Sequence, residues 1–379
     1  MRRFFNSLSP YQRRYYPIYI FMTVWTLVSF VLLFTVPIIA NDITRDKNGK
    51  TKSGWPISVA APYIDMSSWV DPTSASEYSL SGAPNLGKLF DESGFKYYNL
   101  GFIQPDTNQP LETDGTIRWG WGGYYTLGEA GGQDSAQYKG ILDSIALLRQ
   151  KGGSFAISVG GQLGEAPWTV TQNQDMLEKF YLDIIETYDV KRLDLDIEES
   201  NQDKAQNQAN AKAIKAIQDK TNVEITLTIP IMPHGWEQKQ LNIISAYLDA
   251  GVDITLINSM TMCYGAGLYE NEDYGTASVR AITNSISQLK TLYSNQGISL
   301  TDAQAYHKTG ATVAIGYESD LYPIFTTDMT NTVIDDAIKN EYGMVSMWSL
   351  SRDAMLSPNK AITSKYSYGE ILKRFESAS

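Results

Sequence analysis

Eight short apolar runs, alternating with longer amphipathic stretches and preceded by an uncharged apolar span behind four arginines, predict an α/β chain. The predicted architecture is a (β/α)8 barrel behind an N-terminal transmembrane or signal segment, and 379 residues suffice for such a barrel as one domain. The runs are 55–65, 95–104, 154–161, 190–198, 223–232, 254–265, 310–318 and 343–350. An open doubly wound sheet usually carries fewer strands and often a Gly-rich phosphate turn. No G-x-G-x-x-G or G-x-x-x-x-G-K-[ST] follows any of these runs.

Residues 1–40 form a basic N-terminus and an apolar span. Arg2, Arg3, Arg13 and Arg14 precede an uncharged stretch from Ile18 to Ile39. About 20 apolar residues cross a bilayer as a helix, and the arginines would stay on the cytoplasmic side, leaving the body outside. A signal peptide cleaved after Ala40 is the alternative, giving a secreted protein. Ile38 is bulky where a cleavage site wants a small residue, so an uncleaved membrane anchor is favoured. Residues 41–54 are polar, lack apolar periodicity and read as a linker. Residues 55–379 are the predicted TIM barrel.

Between the runs, 136–150, 175–188 and 207–218 read as helices, and a final helix follows Asn359. In 175–188, Leu177, Phe180, Ile184 and Tyr188 recur at three- and four-residue spacing, which marks one buried face.

Composition narrows the function. The net charge is −11, and without the four N-terminal arginines 27 basic side chains face 42 acidic ones. Such a body repels a phosphate backbone, so nucleic acid is excluded as partner. Cys263 is the single cysteine, so an intrachain disulfide is impossible, and no histidine near it in sequence would activate it as a nucleophile. Two histidines, His234 and His307, make a histidine-rich zinc cage improbable.

The fourth run carries the most chemistry. In LDLDIEES, Asp194, Asp196 and Glu198 are two apart, so they share one face of a strand, while Leu193, Leu195 and Ile197 take the other. Helices cover the outside of a barrel, so the carboxylates are expected inside. Like charges held together there survive by sharing protons, with at least one pKa raised, and a carboxyl kept neutral near pH 6 suits general acid catalysis. Carboxylates are also hard-metal ligands, but no further ligand cluster is visible, so no metal is expected.

With these residues the chain resembles glycoside hydrolase family 18, the chitinases and their relatives. The family's D-x-D-x-E on the fourth strand matches Asp194–Glu198. Its S-x-G-G on the third matches Ser158, Val159, Gly160 and Gly161, its M-x-Y on the sixth matches Met262, Cys263 and Tyr264, and its eighth-strand tryptophan matches Trp348. The resemblance runs from about Trp55 to the end. Two departures stand out. Lys191-Arg192 replaces the Asp-Gly of the longer family pattern, and Gly265 stands where the family often has Asp or Asn. Arg192 shares parity with Asp194, so it is expected to reach into the lower barrel and pair with it.

The resemblance implies retaining, substrate-assisted cleavage of β-1,4 bonds in N-acetylglucosamine polymers, chitin or chito-oligosaccharides, without cofactor or metal. Glu198 would be the acid, Asp196 would orient the acetamido group, Asp194 would tune Asp196, and Tyr264 would bond the acetamido group. Trp348 would floor the sugar, with Met262, Ser158 and Gly160 beside it. Trp119, Trp121 and Trp168, in loops after the second and third strands, are expected to line a sugar groove at the C-terminal rim. The expected partner is an N-acetylglucosamine-containing oligo- or polysaccharide, met by a monomer at the cell surface. The alternatives are an endo-β-N-acetylglucosaminidase acting on glycans or cell wall and a non-catalytic carbohydrate-binding protein. Retention of all three carboxylates favours an enzyme.

Overall fold

The computed structural model describes residues 51–265 and 268–378. The basic N-terminus, the apolar span and residues 41–50 of the linker lie outside the described residues. Among the described residues no helix is long and apolar enough to cross a membrane.

The strands in chain order are β1 (Val59–Ala60), β2 (Tyr63–Asp65), β3 (Ser79–Leu80), β4 (Ala83–Pro84), β5 (Tyr97–Pro105), β6 (Trp119–Trp121), β7 (Ser154–Gly160), β8 (Arg192–Asp196), β9 (Glu224–Pro230), β10 (Ile254–Met260), β11 (Thr309–Ala314) and β12 (Met344–Trp348). The main sheet has the order β1-β12-β11-β10-β9-β8-β7-β5-β2. Its two ends, β1 and β2, belong to one stretch interrupted at Ala61-Pro62, where proline lacks the N–H a ladder needs. The parallel sheet therefore curls round until Val59–Asp65 pairs with β12 on one side and β5 on the other. The result is a TIM-barrel-like sheet of eight staves, one for each predicted run.

Helices follow the staves and cover the outside. The stretch read as 136–150 is Ala136–Gln150, that read as 175–188 is Gln174–Tyr188, and that read as 207–218 is longer, Lys204–Thr221. Its extra turns are set by local chemistry. The Asp203 side chain accepts from the Gln206 N–H at the start, and Asn222 ends the helix in the left-handed region. Leu177, Phe180, Ile184 and Tyr188 are all buried, as their spacing predicts. The core lies between sheet and helices and includes Leu193 and Leu195 from the outer face of β8 and Ile197 just beyond it.

The chain between β5 and Ala136 is not an open loop. β6 folds back antiparallel on β5, pairing Trp121 with Ile103 and Trp119 with Pro105. The structure also docks the end of the predicted linker on the barrel, with the Ser53 N–H and hydroxyl donating to Glu224 at 2.8 and 2.7 Å.

Candidate active site

β8 lies between β7 and β9, with Asp194 opposite Ser158 and Thr226, and Asp196 opposite Gly160 and Thr228. Strand alternation turns Asp194 and Asp196 into the barrel, and both are buried. Three hydroxyls converge on Asp194. Tyr63 and Ser158 donate to Oδ2, each at 2.7 Å, and Thr228 donates to Oδ1 at 2.6 Å. Asn258 donates to Tyr63 and Thr228 at 3.2 and 3.0 Å and accepts from Thr312 at 2.8 Å. One polar network thus crosses the barrel from β11 to β7. Beyond Asp194 and Ser158, sequence pattern alone hid its members, because a threonine or asparagine in an apolar run reads as ordinary strand.

Asp196 is less well provided. Its Oδ1 is buried without a hydrogen-bond partner. Burial, with the charges of Glu198 and Asp194, holds its carboxyl well above the usual carboxylate range. Burial also raises Asp194, but its hydroxyl donors and the Arg192 charge oppose that rise. The proton therefore belongs on Asp196, the carboxyl with an orphaned oxygen and no compensating donor.

Glu198, just beyond β8, is half-buried and caps the short turn Glu199–Gln202. Burial, followed by the charges of Glu199 and Glu318, pushes its carboxyl up to about 7. Arg352 forms an ion pair with Glu318 and lies 6.0 Å from the Trp348 ring. Trp348 ends β12 and packs against Phe102 and Tyr63 at centroid distances of 5.5 and 6.3 Å. Glu318, Arg352, Phe102 and Tyr63 are site residues the sequence reading missed. Tyr63, Phe102 and Glu318 come from segments distant in the chain and Arg352 from the short helix Leu350–Asp353 after β12, with no local motif to mark them.

The sixth-strand motif departs from expectation. Cys263 has a left-handed backbone, φ 55°, which breaks the strand alternation. Its thiol is the side chain that feels Glu318, Arg352 and Glu198, and burial pushes it up to about 12. Tyr264 is buried against Tyr274, with its hydroxyl 3.1 Å from Ser278 Oγ. Met262 is half-buried.

The other expected site residues have protein partners of their own. Ser158 is fully buried and serves Asp194. Gly160, at φ 112°, lets β7 approach β8 so closely that a Cβ would stand 2.2 Å from the Asp196 carbonyl oxygen. Trp119, Trp121 and Trp168 are buried and line no groove. Trp119 and Trp121 point the same way from β6, so both pack toward Tyr188, and their indoles donate to Asp183 and the Tyr188 hydroxyl. The Trp168 indole donates to the Asn201 carbonyl at 2.8 Å. The exposed aromatics are others, Trp69 (63%) and Tyr124 (59%) among them.

A hollow of about 550 Å3 opens beside the end of β8, lined by Glu199, Lys204, Lys239 and Asn242 among others. Among the described residues no group of three or more His, Cys, Asp or Glu is arranged to hold a metal ion.

No protein-family profile matches the chain. It is 31% identical over 355 residues to a "Probable bifunctional chitinase/lysozyme" of Escherichia coli (strain K12), covering 88% of this chain and 36% of the relative. It is 30% identical over 325 residues to "Endochitinase 11" of Metarhizium anisopliae, covering 82% of this chain and 55% of the relative. The chain thus spans about a third to a half of the length of these curated relatives. The fold is shared with the catalytic domain of a hyperthermophilic chitinase from Pyrococcus furiosus, at TM-score 0.68 and 24% identity over 85% of this chain and 96% of that one. A structure of catalytic-site mutants of a thermostable chitinase from the same organism, complexed with chito-oligosaccharides, aligns at TM-score 0.69 and 23% identity, with the same coverage.

Proposed function

The chain is a chitinase-like protein of glycoside hydrolase family 18, and on that premise we propose that it hydrolyses β-1,4 bonds between N-acetylglucosamine units. The observation that carries the proposal is the row Asp194, Asp196 and Glu198, at whose end burial and the charges of Glu199 and Glu318 push the Glu198 carboxyl up to about 7. A carboxyl there is protonated over a useful part of the neutral range and can donate to a leaving oxygen.

The proposed steps follow the substrate-assisted, retaining route. Glu198 protonates the glycosidic oxygen while the sugar's own acetamido oxygen attacks the anomeric carbon, and the C–O bond to the leaving chain breaks. The ring closed by that attack is an oxazolinium ion. Asp196 holds the proton until substrate arrives and then accepts a hydrogen bond from the acetamido N–H; as the positive charge forms it passes its proton to Asp194 and faces the ion as a carboxylate. Ionised Glu198 then takes a proton from water, which opens the ring and restores the configuration. Trp348 supplies the floor beneath the distorted sugar.

The chain is further proposed to be a monomer held at the cell surface by residues 1–40, with 41–54 as connector and 55–379 as the catalytic barrel. The test of substrate is incubation with chitin oligomers, glycoprotein glycans and peptidoglycan, with product masses measured. Cleavage of chitin oligomers into N-acetylglucosamine units is the expected result. Cleavage of glycans or peptidoglycan alone would replace it with the endo-β-N-acetylglucosaminidase or cell-wall reading. Binding without cleavage of any member would make the barrel a lectin.

A further inference from the structure

Arg192 does not pair with Asp194 as expected; it pairs with Glu224. The two open adjacent strands, β8 and β9, in direct register at the barrel floor, and both are buried. Arg192 Nε lies 3.1 Å from Glu224 Oε2, and the guanidinium lies 4.6 Å from the Trp55 ring. Glu224 has its oxygens engaged elsewhere as well, by the Ser53 N–H and hydroxyl. The Arg192 Nε is left without an aligned hydrogen bond despite its proximity to Glu224.

A buried ion pair of this kind is poor value for stability, since well-packed apolar residues in its place are often neutral or better. Its placement suggests another use. Arg192 and Asp194 share the inner face of β8, two residues apart. The groups facing Asp194 are Arg192 and Asp196 on its own strand, whose charges it feels, and Tyr63 from β2, Ser158 from β7 and Thr228 from β9, which donate to it. Among them Arg192 is the cation, with Glu224 behind it.

We propose that Arg192, incompletely neutralised by Glu224, is a positioning residue that keeps Asp194 anionic, so that the single proton of the Asp194–Asp196 couple stays on Asp196. The inference rests on the catalytic reading of Asp196, but its test does not require turnover. Aspartate labelled with 13C in the full-length protein reports each carboxyl by NMR across pH, and Asp194→Asn and Asp196→Asn assign the two signals. In Arg192→Met/Glu224→Leu, which replaces the pair by apolar side chains of similar size, the Asp194 signal should titrate at least one pH unit higher, a tenfold gain in proton affinity. Arg192→Lys, which keeps the charge, should titrate as the parent does. Glu224→Gln leaves Arg192 unopposed and should move the Asp194 midpoint down, so the proposal stands on a second variant of opposite sign should the double variant not fold. An Asp194 midpoint unmoved by the double variant, or raised by Glu224→Gln, overturns it. With a shifted midpoint and no chitin cleavage by the parent protein, the electrostatic role would survive and the function above would fall.

Discussion

Glu198 carries two separable consequences at the scale of one residue. As general acid it must hold a proton, so kcat/KM should fall as pH rises through about 7. An alkaline limb near the ordinary glutamate value of 4.5 would remove Glu198 from the acid role. Glu198→Gln keeps the shape without the proton, so turnover should drop at least about 100-fold while oligosaccharide binding persists. A variant retaining a tenth of the activity or more would contradict the assignment. The same raised carboxyl bears on stability. Because its folded value exceeds its unfolded one, its contribution is present below about 4.5 and is lost as pH rises through about 7. Glu198→Gln should therefore gain in melting temperature relative to the parent at pH 8 but not at pH 4, as scanning calorimetry at the two values would report.

At the scale of elements, the close approach of β7 to β8 is what brings Ser158 onto Asp194 and seats Gly160 against Asp196. Gly160→Ala puts a Cβ 2.2 Å from backbone and forces a residue at φ 112° that side chains avoid. Loss on the order of 2–4 kcal/mol in denaturant unfolding is expected, with reduced turnover from the displaced Asp196. A variant as stable as the parent would mean that the two strands can part without cost. The β5–β6 hairpin shows how an element changes the meaning of a residue. Trp119-Gly120-Trp121 reads as a sugar platform when taken for a loop and as packing once paired, since residues two apart in a strand share a face.

For the molecule as a whole, two measurements address substrate and setting. If the acetamido group is the nucleophile, matched chains of plain glucose should be cleaved negligibly, and thiazoline analogues of the oxazolinium ion should inhibit. Comparable rates on both chains would point to a carboxylate nucleophile, Asp196 foremost. Membrane fractionation with N-terminal sequencing addresses the anchor. The chain should sediment with membranes and retain residues 1–40, whereas a soluble product beginning at Asn41 would establish cleavage.

The fold was legible in the sequence because it rests on period and order. Alternating and apolar runs announce staves, 3.6-residue periodicity announces the helix over 175–188, and their strict succession around one core leaves a closed parallel sheet. The carboxylate row was legible for the same reason, since a two-residue spacing on a strand is a statement about one face. Everything that depends on which distant segments meet was not. Tyr63, Thr228 and Asn258 around Asp194, Glu318 with its partner Arg352 near Glu198, and Glu224 under Arg192 come together only when the sheet closes. Closure also buried Trp119, Trp121 and Trp168 and turned Tyr264 toward Ser278. A local pattern fixes the direction a side chain takes from its own strand; its partner, its exposure and its proton affinity are set by the neighbours that packing delivers.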